Sequence, residues 1–397
     1  MEKIELLAPA GDLDRLKLAL IYGADAVYIG GKEFSLRSHA SNFTLRDIKK
    51  ACLFAHKLNK KVHVTCNIVM HNQNVKHIKE YLLSLERCGV DAIITSSLYM
   101  AKIAKENTKL EIHISTQLSS LNSEAVEFMS HYATRVVLGR ECSLLEINKI
   151  CKNSNIEIET FIHGGMCSSY SGKCMLSNVM TSRDANRGGC AHSCRWKYHL
   201  YENNKAISDE KHYFTMSSKD LCGLEFIPQL IEAGVASLKI EGRMKSSNYL
   251  CAVISAYRHC IDDYYGKETL NFTKYYELLS LGENRSTGIG FFNGNVTINE
   301  QQLELNDKFL NAGDFIGIVR SYNAKTKYAT IELKNKILKG ETYLKLSPNS
   351  DIEIVKVEDI KYLDKCYEIY TIAGHLIKVQ LDKPVKPYDI IHKKKVS

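Results

Sequence analysis

Eight short apolar segments that alternate with helix-like patterns constrain the fold more than any other feature of this sequence. They occupy the first 245 residues and lie at 4–11, 25–31, 61–68, 91–97, 111–117, 135–141, 158–164 and 236–243. Strands that alternate with helices form a parallel sheet through right-handed crossovers, and eight such units match a (β/α)8 TIM-like barrel. We therefore predict an α/β fold with a TIM-like barrel over residues 1–265. An open doubly wound sheet is the alternative, and the absence of a GxGxxG fingerprint counts against it.

A repeated tetrapeptide supports the equivalence of these units. GADA, GVDA and GVAS precede the second, fourth and eighth apolar segments, with glycines at Gly23, Gly89 and Gly234. Glycine is the common residue just after the last turn of a helix, because it adopts positive φ without a steric penalty. We therefore expect each of these glycines to end a helix before the next strand begins.

The last hundred residues have a different pattern of apolar and polar residues. Short alternating segments such as FIGIVRSYN, YATIELKN and LIKVQLD are separated by Gly, Asn and Asp, a pattern typical of a small β-barrel-like domain. We place this all-β domain at residues 301–397 and a helical connector at 266–300.

Charge, hydropathy and cysteine content narrow the class of protein. The net charge of +8 is compatible with a polyanionic partner, because Lys and Arg gain affinity by releasing phosphate counterions. No stretch reaches the roughly 18 apolar residues of a membrane-spanning helix, and the N-terminus has no signal-peptide pattern. We therefore expect a cytoplasmic protein that does not span a membrane. In a reducing cytosol the thirteen cysteines are not expected to form a disulfide framework.

Polar residues follow most of the predicted strands. In a TIM barrel the active site is built at this C-terminal rim. The rim residues are His39, Asn42, Asn67, Gln117, Arg140, Glu141, His163, Glu241, Arg243 and Lys245.

A cysteine-bearing insertion at about 165–222 interrupts the pattern after the seventh strand. Its spacing is Cys167-x6-Cys174-x15-Cys190-x3-Cys194, and Cys222 follows in SSKDLC. A thiolate-rich site selects zinc or an iron–sulfur cluster. Zinc ribbons usually contain CxxC knuckles, and this segment has none, so the spacing favours a [4Fe–4S] cluster, with zinc or redox thiols as alternatives.

The sequence contains neither of two common protease motifs. A protease needs an activated nucleophile or a metal-bound water, and neither a GxSxG elbow nor an HExxH helix is present. The sequence therefore favours another chemistry over proteolysis.

Several segments together resemble the peptidase U32 family. They are LLAPAGDLDRLKLALIYGADAVYIGG, FSLRSHASNF, HISTQ, HGGMCSSYSGKCMLSN, RDANRGGCAHSCRWKY, SSKDLC and SLKIEGRMKS. Some members are associated with collagenase-like proteolysis and others with O2-independent hydroxylation of tRNA wobble uridine, an rRNA cytidine or quinone precursors. The chain most resembles the branch that forms 5-hydroxyuridine in tRNA. That branch implies a [4Fe–4S] cluster and a link to prephenate.

The resemblance also implies a set of metal ligands. Carried over by position, the ligands are Cys167, Cys174, Cys190 and Cys222, with Cys194 competing for the fourth place. Zinc remains the alternative metal.

Further site residues follow from the chemistry expected at the rim. His39, His163, Glu241 and Arg243 are the catalytic candidates. A small dianionic acid such as prephenate needs fixed cations, and the candidates beside Arg243 are Arg37, Arg140 and Lys245. An internal Glu–Arg pair or a hydrogen-bonded structural histidine explains these residues equally well.

The expected partner is tRNA, with a protein partner or a homo-oligomer possible. Arg195, Trp196, Lys197 and Tyr198 directly follow Cys194, where basic and aromatic groups would meet an unstacked base. The alternatives to tRNA hydroxylation are a U32-type collagenase-like peptidase, a hydroxylase of another RNA or of a quinone precursor, and a metal-stapled RNA-binding scaffold.

Overall fold

The computed structural model describes residues 3–36, 42–209, 213–283, 285–304 and 314–393. The chain forms two compact units. The first contains residues 1–20, 24–245 and 285–308, and the second contains residues 21–23, 246–284 and 309–397. The predicted connector at 266–300 is thus divided between the two units, and the predicted domain boundaries remain predictions.

The first unit is built on a closed parallel barrel of eight strands. Each strand pairs with its neighbour in sequence, and the eighth pairs with both the seventh and the first, which closes the sheet. The strands are β1 Glu5–Pro9, β2 Ala26–Gly30, β3 Lys61–Cys66, β4 Ala92–Thr95, β5 Glu111–Ile114, β6 Arg135–Val137, β7 Glu157–Gly164 and β8 Ser237–Ile240. This confirms the predicted TIM-like barrel.

Helices follow most of the strands, and the longer ones bury an apolar face. In the helix Leu45–His56 the buried side chains recur with helical spacing, from Ile48 to Ala55. The helices of this unit are Leu13–Ile21, Leu45–His56, Asn72–Val75, Ile78–Cys88, Leu98–Asn107, Ser123–Ser130, Leu144–Asn153, Leu176–Thr181 and Ile227–Glu232. Gly89 ends the helix Ile78–Cys88 with a φ of 86°, which confirms the expected capping role.

The barrel interior combines an apolar layer with buried charges. Leu7, Ala26, Tyr28 and Ile94 form one buried apolar cluster. Beside it, Glu159 accepts a hydrogen bond from Lys239 Nζ at 2.7 Å and another from Arg135 Nη1 at 3.2 Å. Because buried ions are costly unless paired, this pairing is what allows charged side chains inside the barrel.

The insertion extends the barrel sheet at one place. The strand Asp220–Cys222 pairs antiparallel with the end of β7, and Thr287–Gly288 adds to its other edge. Two further antiparallel pairs lie outside the barrel sheet: Phe214–Ser218 with Gln301–Glu304, and Tyr201–Glu202 with Lys205–Ala206. The second of these pairs is a short hairpin within the insertion.

The second unit contains two helices and an antiparallel barrel. The helices are Ser247–Gly266 and Phe272–Ser280. Six strands close the barrel and bury a core rich in Val, Ile and Leu. They are Phe315–Asn323, Tyr328–Leu333, Thr342–Leu346, Glu353–Tyr362, Leu376–Leu381 and Ile390–Lys393; short strands at Ile337–Leu338, Lys365–Cys366 and Ile369–Tyr370 accompany them. This confirms the predicted small β-barrel-like domain.

In the part of the chain that the structure describes, no helix combines the length and the apolarity needed to cross a bilayer.

Candidate active site

A cavity of about 210 Å³ lies where the C-terminal ends of the barrel strands meet the insertion. Tyr28, Thr65, Phe161 and Lys239 line it from the strands. Asn67, Gln117, Arg140, Glu241 and Arg243 line it from the segments that follow strands. The cavity therefore occupies the position expected for the active site of a TIM barrel.

Four of the five candidate cysteines line this cavity: Cys167, Cys174, Cys190 and Cys194. They come from different parts of the insertion, and Cys194 lies in the short 3-10 helix Ser193–Arg195. Cys222 is placed differently, because it is buried on the strand Asp220–Cys222 with His163 directly opposite it on β7.

Residues 167–194, which carry the four cavity cysteines, are called the thiol loop. Close backbone contacts fix its first part. Gly172 has a φ of 75°, and a Cβ placed on it would lie 2.2 Å from the carbonyl oxygen of Gln117. The Glu141 carboxylate accepts a hydrogen bond from the backbone N–H of Ser171 at 2.7 Å. The polar residue predicted at the end of the sixth strand therefore holds the segment between Cys167 and Cys174.

A second set of hydrogen bonds joins the two halves of the loop. Asn186 Nδ2 donates to the carbonyl oxygen of Cys174 at 3.1 Å, and the Ala191 N–H donates to Ser177 Oγ at 3.0 Å. The segment around Cys190 is thereby tied to the segment around Cys174, so the thiol positions are set by backbone contacts as well as by sequence spacing.

The surroundings of Cys167 favour its neutral thiol, so a metal bound there would have to displace the proton. Although Cys167 is partly open to solvent, the surrounding protein desolvates its thiol, and the nearby sulfurs of Cys174 and Cys194 add repulsion. Both effects raise the pKa of Cys167. Several soft sulfur donors around one cavity match the ligand preference of zinc and of iron–sulfur clusters.

Arg243 is buried and spans two loops. Its guanidinium donates to Asn42 Oδ1 at 2.7 Å, to Ser35 Oγ at 2.8 Å and to the Leu36 carbonyl oxygen at 3.1 Å. A further bond reaches Thr65 Oγ1 at 3.2 Å. Arg243 therefore organises the cavity wall formed by the segment that follows β2.

Two cations lie against one aromatic ring in the cavity wall. The Cζ atom of Arg140 is 3.8 Å from the ring centroid of Phe161, and Lys239 Nζ is 5.5 Å from the same centroid. Lys239 Nζ is also 4.7 Å from the ring centroid of Tyr28. Glu159 compensates the charge of Lys239, so Arg140 is the cation that this part of the wall presents to the cavity.

The remaining predicted site residues do not all line the cavity. Glu241 lines the cavity, whereas His163 and Lys245 are absent from its lining. His163 is buried, and burial together with nearby Lys245 lowers its pKa to about 3. Lys245 Nζ lies 3.4 Å from Asp220 Oδ2. Arg37 and His39 lie outside the described residues.

Residues that the sequence did not single out also contribute. Lys239 and Glu159 lie inside the barrel and are hydrogen-bonded to each other. The Asp220 carboxylate accepts hydrogen bonds from Arg285 and Lys245. The sequence could have singled out Lys239, because it stands in the otherwise apolar strand segment ASLKI. A lysine is seldom buried in a strand unless it is paired. No local signal indicates the Asp220–Arg285 pair, which depends on tertiary contact.

The segment after Cys194 lies at the surface. The Trp196 side chain is 41% exposed, and Lys197 Nζ lies 4.9 Å from the ring centroid of Tyr213. An exposed tryptophan next to basic side chains is compatible with base stacking.

Comparisons with known proteins agree on the family. The sequence model described as "Peptidase family U32" matches residues 11–302, and that of its C-terminal domain matches residues 312–392. The chain is 42% identical to tRNA hydroxylation protein P1 of Bacillus subtilis, over 99% of this chain and 96% of that protein. It is 35% identical to an uncharacterized protease of Methanocaldococcus jannaschii, over 99% of this chain and 98% of that protein. It is 38% identical to the 23S rRNA 5-hydroxycytidine synthase of Escherichia coli, over 66% of this chain and 39% of that protein.

Proposed function

The chain belongs to peptidase family U32, and on that premise we propose that it is an RNA hydroxylase that converts tRNA wobble uridine to 5-hydroxyuridine. The observation that carries the proposal is the cavity at the C-terminal end of the barrel, which four cysteines line together with Arg140, Glu241 and Arg243. The names of two relatives, a tRNA hydroxylation protein and an rRNA hydroxycytidine synthase, support an RNA substrate.

We assign the thiols to an iron–sulfur cluster of the [4Fe–4S] type, which exchanges single electrons when bound. Cys167, Cys174 and Cys190 are three ligands in this proposal. The geometry favours Cys194 as the fourth, because it lines the same cavity. Cys222, which the family resemblance implies, is the alternative.

The protein side chains then divide the remaining work. Hydroxylation exchanges the hydrogen at C5 of uracil for a hydroxyl group. In this proposal the co-substrate donates the hydroxyl group and keeps the electron pair of its broken C–O bond, and the proton that leaves C5 passes to Glu241, the carboxylate among the described residues that line the cavity. Arg243 holds the wall around the reacting groups, and Arg140 supplies a cation for prephenate as co-substrate in an O2-independent reaction. His163 is neutral near pH 7, because its pKa is lowered to about 3.

A single-stranded uridine has access from the surface of the insertion. Wobble bases are unpaired and can be splayed out and stacked on aromatic side chains. The exposed Trp196, with Arg195 and Lys197 beside it, supports entry of the anticodon loop from this side.

The test is nucleoside analysis of tRNA and rRNA from a strain that lacks the gene. We expect 5-hydroxyuridine to disappear from tRNA, to return with the wild-type gene, and to stay absent with Cys167→Ala. Cys366→Ala, at an exposed site in the second unit, is the matched control and should restore it. Unchanged 5-hydroxyuridine in the deletion strain contradicts the proposal, and loss of a hydroxycytidine from rRNA alone redirects it to that substrate.

A collagenase-like peptidase is the second candidate, because one relative of nearly full length is named a protease. Gelatin hydrolysis by the purified protein, abolished by Cys167→Ala, together with unchanged tRNA nucleosides, would favour this candidate.

A further inference from the structure

We propose that a second cavity, beside Cys167, binds the guanine base of a nucleotide next to the reacting uridine. This inference rests on the proposed function and deepens it, because it identifies a sequence context that the enzyme recognises in the RNA. The cavity has a volume of about 120 Å³ and belongs wholly to the first unit. Cys167 lines both this cavity and the larger one described above. The larger cavity holds the reacting uridine in the proposed function, so a base in the second cavity belongs to a neighbouring nucleotide.

Two residues of opposite charge line the second cavity without pairing with each other. The backbone N–H of Lys219 donates to the backbone carbonyl oxygen of Glu300 at 3.1 Å, which holds the two residues side by side. Among the residues that the structure describes, the Lys219 ammonium nevertheless has neither a hydrogen bond nor an ion pair. Both residues are half-buried, and a polar group that loses water without gaining a partner is costly. The pair therefore offers a donor and an acceptor to a ligand.

Two glycines hold the Glu300 carboxylate in place. Its Oε2 accepts a hydrogen bond from the Gly290 N–H at 3.1 Å. A Cβ added to Gly288 would collide with the same oxygen, so the carboxylate lies directly against the backbone of that glycine. Within the described part of the chain, Oε1 has no hydrogen-bond partner. Each carboxylate oxygen accepts up to two hydrogen bonds, so both oxygens remain able to accept from a ligand.

The apolar part of the lining suits a planar ring. Met166, Phe291 and Val296 line the cavity together with the charged pair. Aromatic side chains stack on the faces of unpaired RNA bases, while hydrogen bonds recognise the polar edges of those bases. An apolar surface with two fixed polar groups of opposite charge therefore favours a nucleobase as the ligand.

The arrangement of donors and acceptors selects guanine among the four bases. Guanine presents N1–H and N2–H groups next to each other, and these match the two oxygens of one carboxylate. Its O6 follows on the same edge and accepts from an ammonium group. Uracil, cytosine and adenine each present a single donor group beside an acceptor on this edge, so a carboxylate would face a lone pair. Glu300 and Lys219 together therefore match the guanine edge.

The first test is calorimetric titration of the purified full-length protein with GMP, AMP, CMP and UMP. The four probes share one ribose and one phosphate, so differences between their affinities report the base. We expect GMP to bind at least ~10-fold more tightly than each of the others, because a bidentate contact to one base edge discriminates by about that factor. L-Phenylalanine is a further probe, because a small zwitterion would also engage an ammonium and a carboxylate.

Two variants locate the site. Glu300→Gln keeps an oxygen for the Gly290 N–H but places an amide donor opposite the guanine donors, so it should weaken GMP binding at least ~10-fold. Lys219→Met removes the ammonium and should weaken GMP binding by roughly tenfold. Glu127→Gln and Lys149→Met change exposed residues outside the cavity lining and should leave the affinity unchanged. A thermal unfolding curve shows whether each variant is folded, and a variant that fails to fold is replaced by the substitution at the other position.

The second test distinguishes a guanosine of the RNA from a free guanine nucleotide. Individual tRNA species are purified from the deletion strain that carries Glu300→Gln, and their 5-hydroxyuridine is measured. We expect the nucleoside to fall more in species with guanosine next to the wobble uridine than in species with another neighbour. An equal fall in every species would assign the site to a free nucleotide and contradict the role in RNA recognition.

Failure of this inference is separable from failure of the proposed function. Equal affinity for the four nucleotides, or GMP binding that neither variant weakens, would contradict the guanine site even when tRNA is modified normally. Tight binding of L-phenylalanine that Glu300→Gln abolishes would show that the charged pair holds a small zwitterion instead. Selective GMP binding that Glu300→Gln abolishes, with unchanged 5-hydroxyuridine in the deletion strain, would support the guanine site and contradict the proposed RNA reaction.

Discussion

Cys222 lies directly opposite His163 across two antiparallel strands, whereas Cys194 lines the cavity with the other three thiols. A strand position limits how far a side chain can move, because a shift requires its ladder hydrogen bonds to break. The two cysteines that compete for the fourth ligand position therefore differ in their access to the cavity.

The first prediction separates these two cysteines. Cys194→Ser should lower the iron content of the anaerobically purified protein to less than half, because it removes a thiol from the cavity. Cys222→Ser should retain most of the iron, and Cys366→Ser serves as the unaffected control. Iron and sulfide are measured per chain for each variant. Loss of iron in Cys222→Ser with retention in Cys194→Ser would reverse the assignment.

The second prediction concerns the close approach at Gly172. Gly172→Ala places a methyl group 2.2 Å from the Gln117 carbonyl oxygen, at a φ of 75°. We expect the thiol loop to be displaced, with lower iron content and a lower melting temperature. Gly340→Ala is the matched control, because its φ is 82° and no atom lies within 4 Å of the added methyl.

Comparison of these two glycine variants isolates the steric effect from the backbone strain. The left-handed backbone alone costs about 1–2 kcal/mol for a residue with a Cβ. Equal losses of unfolding free energy in both variants, with full iron content in Gly172→Ala, would show that the contact with Gln117 has no role in holding the loop.

The third prediction concerns the buried ion network of the barrel. Glu159→Gln leaves Lys239 and Arg135 without their shared carboxylate, and removing one partner of a buried ion pair costs about 3–5 kcal/mol. Glu106→Gln is the control, since it breaks an exposed pair with Lys102 that is worth at most ~1 kcal/mol. Chemical denaturation near pH 7 measures both.

The same carboxylate makes the free energy of unfolding depend on pH in the acid range. Burial alone would raise the pKa of Glu159, but Lys239 and Arg135 outweigh it and lower the pKa to about 2. An unfolded glutamate has a pKa of about 4.3. The stabilisation is therefore fully present above pH ~4.3 and is lost as the pH falls toward 2. Glu159→Gln should flatten this part of the curve, and an unchanged slope would contradict the assignment.

The fourth prediction concerns Arg243. Arg243→Lys keeps the charge but cannot serve the oxygens of Asn42, Ser35 and Leu36 together. We expect 5-hydroxyuridine in tRNA to fall at least ~10-fold, because a lost hydrogen bond to a charged group is worth about 1.5–3 kcal/mol. Arg46→Lys, on an exposed helix face, is the control. Wild-type levels of the nucleoside in Arg243→Lys would show that the forked contact is dispensable.

The barrel was predictable because its strands are short apolar segments and most of them are followed by a helix. The C-terminal barrel was predictable for a related reason, since its strands alternate and are separated by turn residues. The segment predicted at 135–141 is shorter as a strand, Arg135–Val137, because the Gly139 N–H turns away to bond to the Ser120 carbonyl oxygen.

The site was only partly predictable. Spacing indicated a thiol site, and rim positions indicated Arg140, Glu241 and Arg243, all of which line the cavity. Sequence could not separate Cys194 from Cys222, because the antiparallel pairing of Cys222 with β7 joins residues far apart in the chain.

Metal analysis of the anaerobically purified protein tests the central claim, that the cysteine-lined cavity is an iron–sulfur site. The account predicts about four irons and four sulfides per chain, a brown protein with broad visible absorbance, and loss of both elements in Cys167→Ala. One zinc per chain without sulfide would contradict it and would leave the four cavity cysteines as a zinc or redox site.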